Sequence, residues 1–95
     1  MTGEELRKEL ETIISNLSSS GFASIDAGTV EKLDKCAVAA NELGMKQGKQ
    51  LIENLSGAMK AIQAGKSKAE SGNVRLTALD FYVKKLSDDG STEEL

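Results

Sequence analysis

The stretch CAVAANELGMKQGKQLIENL, Cys36–Leu55, decides how this chain can fold. It carries small residues into Leu43-Gly44 and then restarts as an amphipathic pattern. Val30, Leu33, Ala37 and Ala40 recur at spacings of three and four, which marks one face of a helix. Gly48, Leu51, Ile52, Leu55, Ala58, Met59 and Ile62 resume the same period beyond the glycine. A single helix from Thr29 to Ala64 would be long for a small domain, whose helices usually run about 8–20 residues. A cut at Leu43-Gly44 leaves two helices of ordinary length, and glycine is favoured just past a helix C-terminus. Against the cut, no polar loop separates the halves and Met45 is a poor cap. The expected arrangement is a tight corner, with the continuous helix as the alternative. Cys36, Ala37, Ala40 and Gly44 also form a seam of little bulk, along which a neighbouring helix can approach closely.

At the N-terminal end, Thr2 followed by Glu5 fits a capping box that opens a helix. Leu6, Leu10, Ile13, Ile14 and Leu17 form its apolar stripe, and Gly21 can end it in a left-handed conformation. Asp26 is a candidate N-cap for the next helix, with Ile25 stapled onto Val30. Gly65 is a candidate C-cap, and Ser71 or Asn73 a candidate N-cap beyond it. Leu76, Leu79, Val83 and Leu86 supply the last stripe, with Tyr82 beside it. Four stripes with short links predict an all-α fold, a small up-and-down four-helix bundle spanning residues 1–87. Residues 88–95 read as a flexible acidic tail. The runner-up pairs a long middle helix with that of a second chain.

Composition narrows the function classes. Ninety-five residues hold one small domain, and the absence of proline suits helices. No apolar run reaches the roughly 18 residues of a membrane span. The opening MTGEELRKEL lacks the apolar region of a secretory leader. A lone cysteine makes no internal disulfide, so a reducing, cytoplasmic setting is expected. Charge is uneven: residues 44–75 are net +4, against −4 before them and −3 after. Such a block reads first as a solvated face and, more sharply, as a basic face for an acidic partner. No aromatic residue interleaves with these lysines to stack bases, so nucleic acid is not the expected partner.

With no histidine, the usual neutral-pH acid–base group and the commonest metal ligand are missing. A catalytic triad, a Cys-His pair and an ordinary zinc set cannot be built within the chain. No phosphate-binding glycine loop is present. Glu5/Glu9 and Glu31/Asp34 read as helix decoration, and Cys36 as a small buried hydrophobe. The expectation is no enzyme and no cofactor.

DKCAVAANELGMKQGKQLIENL, Asp34–Leu55, resembles a histidine-containing phosphotransfer (HPt) domain. Those domains are helical bundles in which a phosphorylatable histidine and small residues precede a Leu-Gly corner. The resemblance covers residues 30–64, and aligning on Leu43-Gly44 sets Asp34 where the histidine would stand. It therefore implies docking onto a response-regulator receiver domain without phosphotransfer. Lys46 and Lys49, with Asp34, are the candidate partner-binding residues. The expected function is a non-catalytic, signalling-type protein-interaction module with a protein partner of acidic surface. The alternative is a structural or self-assembly protein that forms a homodimer.

Overall fold

The computed structural model describes residues 2–22 and 26–89 and contains four helices. They are α1 (Gly3–Ser20), α2 (Ala27–Glu42), α3 (Lys46–Gln63) and α4 (Ala69–Asp89). Each helix packs on its sequence neighbours, and α1 closes the ring onto α4. This is the up-and-down four-helix bundle that the four stripes predict.

The first helix begins as expected. Thr2 Oγ1 accepts from the Glu5 amide at 3.1 Å, and Glu5 Oε1 accepts from the Thr2 amide at 2.9 Å. Asp26 caps α2 by accepting from the Gly28 amide at 3.0 Å. The expected staple from Ile25 lies outside the described residues.

The corner at Leu43-Gly44 settles the central ambiguity, and the continuous helix is overturned. Gly44 takes φ 76°, a left-handed conformation that costs a side chain but not glycine. Its amide donates to the Asn41 carbonyl at 3.2 Å, and the Met45 amide reaches back to Ala40 at 2.9 Å. These are the two bonds of a Schellman motif, which satisfies carbonyls that the end of α2 would otherwise leave open. Met45, the residue after the glycine, is itself buried and anchors the turn. Gly44 is exposed, so it belongs to the corner and not to the small seam with Cys36, Ala37 and Ala40, which are buried.

The start of α4 lies earlier in the chain than expected. Ser71 and Asn73, expected as N-caps, lie inside the helix, which starts at Ala69. The Ser71 amide already donates to the Lys68 carbonyl at 3.0 Å. Gly72 looks like a loop residue but is buried within the helix, where its missing side chain leaves room for Phe22. At the far end α4 continues through Asp88 and Asp89, two residues past the expected boundary, and 90–95 fall outside the described residues.

Leu6, Leu10, Leu33, Ile52, Leu55 and Leu79 are fully buried at the centre. Each such side chain contributes about 1.5–3 kcal/mol through removal from water. Truncating Leu10 or Leu55 to alanine would cost about 2–5 kcal/mol and is the shortest route to unfolding the domain.

Candidate interaction surface

The three expected partner residues all fall on the α2–α3 side of the bundle, though not in one patch. Lys46, Lys49, Glu53, Ser56 and Lys60 are spaced by three and four along α3 and therefore share one face. Ser56 and Lys60 reach across to α2. The Ser56 hydroxyl donates to Asp34 Oδ1 at 2.7 Å, and Lys60 Nζ stands 3.1 Å from Asp34 Oδ2. Both oxygens of Asp34 are thus engaged. The Ser56 bond first, and then the Lys60 ammonium, hold its carboxyl below the usual range, against partial desolvation.

Sequence reasoning missed this tie, although Ser56 carried a signal: a serine on the margin of an apolar stripe needs a partner once buried. Ser56 is buried, at 2% exposure. Asp34 supplies the acceptor, so its first role is to hold α2 against α3. Val38, one turn along the same side of α2, is exposed.

Lys46 and Lys49 occupy the first turn of α3, about 10–21 Å along the axis from Ser56 and Lys60. Lys46 is exposed and Lys49 half-buried. Met45 offers no side-chain cap, and no acidic residue stands in that turn. Two cations therefore sit at the positive end of the helix dipole, an arrangement unfavourable to the helix itself and attractive to an outside anion. The remaining lysines of the basic block, Lys66 and Lys68, lie past the other end of α3, an 18-residue helix about 27 Å long. The block is divided between the two ends of the bundle and does not form one continuous strip.

Between α1 and α4 an open crevice of about 400 Å³ is lined by Glu11, Ile14, Ser15, Asp80, Val83 and Lys84, among others. Its charged groups are already paired, Glu11 with Arg7 and Asp80 with Lys84. Cys36 is buried against the core, and burial, then the nearby Glu9 charge, push its thiol up to about 11.

Compared with family models, curated proteins and solved structures, the chain finds no match. No helix among the described residues is long and apolar enough to cross a membrane.

Proposed function

We propose that this bundle is a non-catalytic protein-interaction module that docks an acidic protein surface at the Gly44 corner. The observation that carries the reading is the first turn of α3, where Lys46 and Lys49 stand on an uncapped helix start with no acidic neighbour in the turn. Their charges add to the helix dipole in place of opposing it, so the corner attracts anions. In its more specific form the partner is a response-regulator receiver domain, whose acidic pocket complements these lysines. The Leu43-Gly44 corner and the Asp34 position support that form. Relay of a phosphoryl group has no part in it, since Asp34 replaces the histidine and is tied to Ser56 and Lys60.

Titration calorimetry with a purified receiver domain tests the reading. Binding should weaken as salt rises and be lost in the Lys46→Glu, Lys49→Glu double variant. The reversal places acids at the start of α3, where they suit the helix dipole, and helicity by circular dichroism separates lost binding from lost fold. Absence of binding, or equal binding by the double variant, overturns the assignment.

A further inference from the structure

The outward side of α4 carries apolar residues that the bundle leaves uncovered. Phe81 is 75% exposed and Val74 66%, and they stand two turns apart with exposed Ala78 between them. Isolated exposed apolar residues are ordinary. Here, however, the chain has two phenylalanines, and while Phe22 is buried, Phe81 extends an apolar line across the surface. The same line ends in opposite charges. Glu70 lies one turn before Val74, and Lys85 one turn after Phe81. The adjacent Lys84 is instead held by Asp80 at 3.0 Å.

We propose that this face of α4 is a homodimer interface, on which α4 of a second copy packs antiparallel. A two-fold axis passing between Thr77 and Ala78 brings every element of the line level with its complement. Glu70 meets Lys85, Val74 meets Phe81, and Thr77 meets Ala78, each pair occurring twice by symmetry. A parallel arrangement would instead oppose Glu70 to Glu70 and Lys85 to Lys85. The charge order therefore selects both the occupant and its direction. The contact lies on α4, across the ring from α2, and goes beyond the lysine corner by leaving that corner open. One helix of 21 residues, about 31 Å long, buries on the order of 1,000 Å² in such a contact, so the dimer is reversible.

Sedimentation equilibrium over micromolar to millimolar chain concentrations, with helicity followed by circular dichroism, tests the pairing. The native chain should associate reversibly, and Phe81→Ser should remain monomeric at full helicity. Glu70→Lys and Lys85→Glu should each weaken association by roughly tenfold, since attraction at two symmetric pairs becomes repulsion. The two changes combined in one chain should restore it, because opposite charges again face each other. A native chain that stays monomeric throughout overturns the proposal. So does a dimer indifferent to Phe81→Ser, or a combined variant that fails to recover. Receiver-domain titration of Phe81→Ser reads the lysine corner separately, so either assignment can fail while the other stands.

Discussion

A Cβ atom placed on Gly72 would stand 2.7 Å from Cε1 of Phe22 and 3.0 Å from Cδ1 of Ile62. The start of α4 is thus closed onto the α1–α2 connection through the missing side chain of one residue. Gly72→Ala gains about 1 kcal/mol of helix propensity. It also overfills a packed site, at about 1–3 kcal/mol. The expected net is a loss, read as a fall of roughly 5 °C in the thermal midpoint. Gly57→Ala is the internal control. That glycine is helical, exposed and has nothing within 4 Å of an added Cβ, so the change should stabilise by about 0.5–1 kcal/mol. A rise in midpoint for Gly72→Ala would refute the close packing.

Gly44→Ala probes backbone conformation where Gly72→Ala probes space. At φ 76° an alanine is strained whatever room surrounds it. The change should cost about 1 kcal/mol or more in urea unfolding, with the slope unchanged. A neutral or stabilising result would mean that α2 and α3 run on as one helix.

Asp34 makes the fold sensitive to acid. Its folded pKa is depressed, so the stability it contributes is complete above the unfolded value, near about pH 4, and is lost as pH falls through the folded value. Because its side chain is half exposed, solvent screening limits the ionic part to below about 1 kcal/mol. Asp34→Ala should cost about 1–2 kcal/mol at neutral pH, the larger share from stranding the buried Ser56 hydroxyl. Denaturation followed from pH 7 to pH 2 should show a smaller acid loss in this variant than in the native chain. An unchanged acid profile would remove the tie from the stability of the α2–α3 hairpin.

Cys36 should be nearly inert in the folded protein. With its thiol raised to about 11, and buried, the reactive thiolate is scarce at pH 8. Alkylation should run about 100-fold or more slower than for a free cysteine, and accelerate only as denaturant unfolds the chain. Rapid labelling of the native protein would contradict the burial.

Features set by local periodicity were readable in advance, and features set by meetings between distant residues were not. Leu6 to Leu17 and Leu76 to Leu86 announce their helices through spacing alone, and Thr2 with Glu5 announces a start. Gly44 was legible because helix ends follow local rules. Gly72 was not legible for the opposite reason: the same residue type serves a contact with Phe22, fifty positions away. Gly48 is similar, since an added Cβ there would meet the Tyr82 oxygen at 2.8 Å. At the candidate surface, charge composition exposed Lys46 and Lys49, but the engagement of Asp34 depended on Ser56 lying across the hairpin. Phe81 shows the limit from another side, because hydropathy does not reveal which way a residue off the main stripe points.

The crevice between α1 and α4 has a consequence for the order in which the molecule comes apart. Three of the four helix contacts join neighbours in sequence, whereas α1 and α4 meet only by bringing the two ends of the chain together. That closure carries the largest loop entropy, and an open crevice runs along it. Backbone amides of α1 and α4 facing the crevice should exchange with deuterium sooner than those of the α2–α3 hairpin. The hairpin around Gly44 would then be the last structure to dissolve on unfolding and the first to form on the way back.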